Sequence, residues 1–292
     1  MTAEETYRPA FTDPPGKNLA GIPISELDLP TPYLSYGLPF DEACAKHVRE
    51  TFQASRVYVV ASRSLAANTD KVDRLVAALG TDRVVGVRKG ITPHTPWSEI
   101  LQIAAECRAA GANCVVTLGA GSVTDGAKLV VLCLANDIRD PERLARFSVE
   151  STDVPNLIRP PEVPLITIPT SLSGGEYFSL AGDLCQTTPE YHWLSTGIRG
   201  VDHCVEAMCS LNATVESDGK AEQGLRLLIP GLLRCKADPT DIAARRQCQL
   251  ATPLGMGSVR AGITMGGSHA IGHQLGPLGV PHGASIVTVD AG

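Results

Sequence analysis

Several features that would settle the class of this chain are missing from it. None of its nine cysteines (44, 107, 114, 133, 185, 204, 209, 235, 248) forms a CxxC pair. Several lie in apolar runs, which is the pattern of reduced, buried thiols in a cytoplasmic protein and excludes a disulfide-stapled secreted domain. Basic residues are not in excess: 25 Lys and Arg face 31 Asp and Glu, a net charge of −6. Such a balance leaves no electrostatic footprint for nucleic acid or an anionic membrane. No apolar run approaches a membrane span, and the opening MTAEETYRPAFTDPPGKN has no signal-peptide centre. Internal repeats and low-complexity tracts are lacking, as are the GxGxxG fingerprint and the Walker A loop. What remains is 292 residues, 43 % apolar and 19 % charged, enough for one large domain or two ordinary ones around a sizeable core.

The pattern changes along the chain. Residues 1–31 read as a loose, proline-rich leader. Apolar β-branched runs at 56–61 (RVYVVA), 81–87, 113–118 (NCVVTL) and 165–169 (LITIP) read as strands. Stretches 69–79 and 97–110 have helical apolar spacing and end at Gly80 and Gly111. Strands alternating with helices of this length imply a parallel sheet with crossover helices. From about 173 the text turns helical, at 197–211, 220–235, 241–255 and 264–275, with one further strand expected at 285–289. The expected organisation is a leader (1–31), an α/β nucleotide-binding domain (32–172) and a mostly α domain (173–292).

Three constellations carry chemistry. In VVTLGAGSVTDGAK (115–128) a strand runs into Gly119, Ala120, Gly121 and Ser122 and a helix follows from about Val123. Glycines there let backbone N–H groups approach a phosphate, although strand-to-helix turns are often built this way. Asp125 and Lys128, one turn apart, equally suit a surface ion pair. The Gly/Ser/Thr-rich loop IPTSLSGGEYFS (168–179) offers Thr170, Ser171 and Ser173 to a ribose, an amide or a phosphate, or serves as a hinge. His269 and His273 are spaced i, i+4, so one helix face projects both. With His203 and His282 they have spacing suited to metal ligation or acid–base work.

In this order the motifs resemble the iron-containing alcohol dehydrogenase family. Its GGGSxxDxAK pattern resembles Gly119 to Ser122 with Asp125 and Lys128, and its IPTT loop resembles 168–176. Its ligand helix is similar to IRGVDHCVEA, and its HxxxH…HG tail to His269, His273 and His282-Gly283. The short PTSLSGGE loop is closest in form to the maleylacetate-reductase-like branch, found in bacterial aromatic degradation and in fungal secondary metabolism. The resemblance implies a dehydroquinate-synthase-like fold, an α/β nucleotide-binding domain followed by a mostly α domain. It also implies an NADH- or NADPH-dependent oxidoreductase that reduces a carboxylated enone or keto acid in the cytoplasm. A small carboxylated molecule is then the partner, with neither nucleic acid nor membrane involved, and a homodimer is compatible with it.

Departures from the family pattern refine the expectation. Arg199 stands where the family has an Asp ligand four residues before His203, and an arginine repels a cation. Asp202, about 100° round a helix from His203, is expected to face elsewhere. A metal (Fe or Zn), for which His203, His269 and His282 are the candidates, is therefore disfavoured. Arg199 is instead expected to grip a substrate carboxylate, with a salt bridge to Glu206 as the plainer alternative. Relative to the family, a strand is expected to be missing between 181 and 189, and the C-terminal helices after 292, so a truncated fold is expected. Ser62 and Arg63 follow the first strand where the family often has an acid, which leaves room for the 2′-phosphate of NADPH. The expected mechanism has the pyrophosphate at Gly119 to Ser122 and the nicotinamide across a cleft near Thr170, Ser171 and Ser173. His273 or His269 donates a proton while Arg199 holds the anionic end of the substrate. A metal-dependent alcohol dehydrogenase and a non-catalytic truncated remnant are the alternatives.

Overall fold

A computed structural model describes residues 4–10, 32–92, 95–147, 159–172, 188 and 190–275, without the side chains of 259–260 and 273–275. The chain divides into two compact units. One is Leu38–Pro169; the other joins Met1–Gly37 to Thr170–Gly292.

The first unit is built on four parallel strands. β3 (Val57–Ala61), β4 (Val84–Lys89), β5 (Cys114–Gly119) and β6 (Leu165–Pro169) lie in the order β4-β3-β5-β6. Val57 pairs with Cys114, and Val115 with Leu165. VYVVA and CVVTLG are buried at every position, the continuous apolar run of a central parallel strand rather than an alternating one. Helices α1 (Phe40–Lys46), α2 (Arg63–Asn68), α3 (Lys71–Leu79), α4 (Trp97–Ala109), α5 (Gly121–Ala135) and α6 (Pro141–Ala145) accompany the sheet, with a π-helical turn at 47–51 after α1. Val60 and Val115 share a core with Ile100, Ile103 and Cys107 of α4 and with Val123, Ala127 and Val130 of α5. Gly126 of α5 permits this packing, since a Cβ there would lie 2.6 Å from Ile91 Cδ1.

Two details differ from the sequence pattern. The helix expected over 69–79 is α3, but a further short helix, α2, precedes it, because Ser62 caps an earlier turn by accepting from the Leu65 N–H at 3.4 Å. The expected strand at 81–87 is shifted to 84–89. Gly80, at φ +95°, and hydrogen bonds from the N–H groups of Arg83 and Val84 to its carbonyl spend 81–83 on a turn.

The second unit is mostly helical. α7 (Glu190–Cys209), α8 (Val215–Ala237) and α9 (Ile242–Arg260) pack on one another, and α10 (Gly267–Leu275) follows. At Cys204 of α7 the three helices meet closely: a Cβ on Gly224 of α8 or on Gly255 of α9 would lie 2.9 or 3.0 Å from its sulfur. Trp193, Ala207, Leu228, Leu232 and Cys248 complete the core, and the Arg245 guanidinium stacks on Trp193 at 4.7 Å. α7 begins before the expected 197. Within it Gly197 allows close packing, with a Cβ position only 2.3 Å from Leu232 Cδ2. α8 begins at 215 because Thr214 and Ser217 form a reciprocal capping box.

The expected loose leader is corrected in part. Thr6–Pro9 (β1) pairs antiparallel with Tyr33–Tyr36 (β2), and both group with the helical unit. Four polar and proline-containing residues have no apolar alternation to reveal a strand, and the pairing partner lies far along the chain. The strand expected at 285–289 lies outside the described residues. Among the described residues no helix is long and apolar enough to cross a membrane.

Candidate functional site

Sheet topology picks out one place in the α/β unit. From β3 the chain crosses to β4 on one side, whereas from β5 it crosses to β6 on the other. The carboxyl ends of β3 and β5 therefore flank a topological switch point, where open parallel sheets leave a crevice for ligands. Ser62 and Arg63 leave β3 there, and Ala120, Gly121 and Ser122 leave β5. The two ends are tied by the Ser62 N–H, which donates to the Leu118 carbonyl at 2.8 Å. A Cβ on Gly119 would lie 3.0 Å from Val123 Cγ2 and 3.1 Å from Ser62 Cβ, so glycine allows the strands and helix to meet so closely.

α5 starts at Gly121, two residues before the sequence suggests, so Gly121 and Ser122 belong to its first turn. Their N–H groups precede the intrahelical ladder and, with the helix dipole, suit a phosphate. Arg63 is exposed and lies against Gly90 at the end of β4, its Cβ and Nε each 3.0 Å from where a Gly90 Cβ would be. Asp125 is exposed and pairs with Lys128 at 3.5 Å, the plainer of its two expected roles.

The helical unit holds a second cluster, made of side chains. Arg199, Asp202, His203 and Glu206 are at i, i+3, i+4 and i+7 of α7, one continuous stripe. Arg199 is only 2 % exposed, and its Nη2 lies 3.4 Å from His269 Nδ1. The His203 and His269 rings are 5.2 Å apart, tilted by 47°. Burial draws the Arg199 guanidinium down to about 10, against the opposing pull of Asp202 and Glu206.

Asp202 is a correction. Its carboxylate turns to the same helix as His203 and accepts from Ser268 Oγ at 2.5 Å. A 100° step between neighbours still lies within the arc of a stripe that includes i+3 and i+4. Glu206, expected at most as a partner for Arg199, has a different contact. Its Oε1 accepts from Ser268 N at 2.9 Å, Ser268 Oγ at 2.9 Å and His269 N at 3.3 Å. It thus caps α10 from another helix.

Thr170 and Ser171 are buried in the helical unit, and the Thr170 carbonyl accepts from Thr188 Oγ1. His273 is on α10, with its side chain outside the described residues; Ser173 and His282 are outside them altogether. Sequence reasoning missed Ser268 and the capping role of Glu206. The available signals were the i, i+3, i+4, i+7 stripe and a serine immediately before His269.

The described residues do not suit a metal ion. The guanidinium of Arg199 stands against His269, one oxygen of each of Asp202 and Glu206 is engaged by Ser268, and no three His, Cys, Asp or Glu among the described residues are grouped to hold an ion. The switch-point loops do suit a dinucleotide, with close glycine packing at Gly119 and a helix N-terminus at Gly121.

Two family models cover most of the chain: iron-containing alcohol dehydrogenase over residues 38–182, and the C-terminal part of the same family over 193–289. The dehydrogenase FUM7 of Gibberella moniliformis is 36 % identical over 86 % of this chain and 69 % of its own length. The dehydrogenase ALT3 of Alternaria alternata is 33 % identical over 80 % of this chain and 70 % of its own. A maleylacetate reductase of Sphingobium indicum is 25 % identical over 79 % and 65 %. Among solved structures, the sulfoacetaldehyde reductase of Bifidobacterium kashiwanohense in complex with NAD+ superposes with a TM-score of 0.73 at 19 % identity, covering 86 % of this chain and 71 % of that one. The maleylacetate reductase of Rhizobium sp. strain MTP-10005 gives 0.65 at 22 % identity, over 96 % and 73 %. By its sequence and by both halves of its fold, the chain belongs to the iron-containing alcohol dehydrogenase family and has that family's NAD(P)-dependent oxidoreductase architecture.

Proposed function

We propose that this chain is an NAD(P)H-dependent reductase of a carboxylated carbonyl or enone, in the manner of the maleylacetate reductases to which it is similar. The observation that carries this reading is the buried Arg199 against His269, a cation in the place of a metal ligand. Gly119, Ala120, Gly121 and Ser122 would hold the cofactor pyrophosphate, with Asp125 beside them and Thr170, Ser171 and Ser173 toward the nicotinamide. Arg63 and Ser62 would receive a 2′-phosphate. When bound, the cofactor supplies the hydride.

The chain's own residues do the rest. Arg199 can only donate, so its contact with His269 makes Nδ1 the acceptor and leaves the ring proton on Nε2. The Nε2–H is then placed to donate a hydrogen bond to the oxygen that becomes anionic as the substrate accepts the hydride. The guanidinium binds the substrate carboxylate and stabilises the charge that develops beside it. His203 backs His269 from α7, and His273, the other candidate acid, would supply the proton itself as an imidazolium.

The first test is thermal unfolding with and without NADPH and NADH, followed by turnover of carboxylated enones. A ligand at a hundredfold excess over Kd adds about 2.7 kcal/mol, so a cooperative melt should move upward. A melt indifferent to both nucleotides would instead indicate a non-catalytic relative. If Arg199→Lys and Arg199→Ala both left the KM for a dicarboxylate unchanged, the carboxylate grip would be lost as an explanation.

A further inference from the structure

Glu206 is not needed for the chemistry above, yet it is the most heavily engaged carboxylate near it. Its Oε1 receives three hydrogen bonds, from the N–H of Ser268, the hydroxyl of Ser268 and the N–H of His269. Two of those donors are first-turn N–H groups of α10, which have no partner inside their own helix. The carboxylate reaches them past Gly266, where a Cβ would lie 2.7 Å from Oε1, so the glycine leaves the passage open. Asp202 adds a second tether by accepting from Ser268 Oγ at 2.5 Å. Both acids are on the α7 stripe that also presents Arg199 and His203. The start of α10 is therefore fastened to α7 at the residue that bears the imidazole.

The geometry points to Glu206 as a positioning residue. By capping α10 from α7, it fixes the backbone of His269 so that Nδ1 stays beside Arg199 and Nε2 toward the substrate. Glu206 touches neither substrate nor cofactor. Its carboxylate also fills the helix N-terminus that would otherwise attract an anion, leaving Arg199 as the group for the substrate carboxylate. This inference rests on the proposed role of His269 as the hydrogen-bond donor to the developing anion.

The test combines spectroscopy and kinetics on the full chain. Ring 1H–13C NMR signals of His269, assigned by His269→Asn, are compared in wild type, Glu206→Ala and Glu206→Gln, and kcat and KM are measured for each with NADPH. The glutamine carbonyl keeps the acceptor for the α10 N–H groups, whereas alanine removes it. In Glu206→Ala the His269 signals should shift and kcat should fall by about 100-fold, the scale of a misplacement of about 1 Å. The Kd for NADPH should stay within about twofold, since the loops that would hold its pyrophosphate and 2′-phosphate belong to the other unit, and Glu206→Gln should recover most of the loss. If the His269 signals did not move in Glu206→Ala, or if Gln were as impaired as Ala, the positioning role would be overturned. Should wild type itself reduce no carboxylated substrate, the proposed function fails. The NMR comparison then still decides whether Glu206 holds His269.

Discussion

The two units form their candidate sites from different materials. In the α/β unit the site is backbone: a glycine packed against Ser62, a helix that begins at once, and N–H groups ahead of its hydrogen-bonded ladder. In the helical unit it is side chain: a guanidinium, two imidazoles and two carboxylates brought from α7 and α10. A backbone site is written in neighbouring residues, because the turn and the helix start are local. A side-chain site depends on which helix faces meet, and its members here are 62 to 70 residues apart in sequence. The difference predicts that the two sites fail separately.

The sharpest way to break that separation is Arg199→Ala. Loss of a buried charge from an ionic cluster is worth about 3–4 kcal/mol, so kcat/KM for a carboxylated substrate should fall by about 100- to 1,000-fold. NADPH affinity by calorimetry should not change, and a parallel loss of both would show the sites to be one. The reverse test is Gly119→Val. Added bulk against Val123 and Ser62 should cost about 1–3 kcal/mol of stability, lower the Tm and raise the NADPH Kd by about tenfold or more. The His269 ring signals should remain as in wild type.

Arg63→Ala sharpens the nucleotide side alone. A hydrogen bond to a charged group is worth about 1.5 kcal/mol or more, so the Kd for NADPH should rise about tenfold while that for NADH stays within about twofold. Equal affinities untouched by the substitution would place the 2′-phosphate elsewhere. The smallest effect is in pH. Burial lowers Arg199 to about 10, so the guanidinium keeps its charge through neutral pH and loses it above that value. KM for the carboxylated substrate should be flat from pH 7 to 9, about doubled near pH 10 as half the cation is lost, and rising beyond, whereas NADPH binding at the other unit should not follow that titration.

Much of the α/β unit was legible. VYVVA, CVVTLG and LITIP are strands, Trp97–Ala109 is a helix as its spacing predicts, and Gly119 to Ser122 lies at a strand-to-helix junction. The errors have physical causes. Thr81–Arg83 looks extended but serves a turn set by Gly80, and α7 starts at Glu190, before the expected 197. Asp202 lies one 100° step from His203 yet within the same stripe, so it reaches Ser268 rather than facing elsewhere. Ser268 gave almost no signal, since a serine before a histidine means little until another helix supplies its partner.

The sequence alone determined what depends on short range: the alternation of buried strands and crossover helices, the glycine turn after β5, the cation at position 199, and the family to which these belong. Tertiary structure decided the rest. Only packing around Cys204, with Gly224 and Gly255 small enough to let three helices close on it, turns the α7 stripe toward a particular neighbour. Only that meeting makes Glu206 the cap of α10 and sets Arg199 against His269. Hydrogen bonds between residues so far apart are selected by the fit of whole helix faces, and no local pattern of residue types encodes that fit.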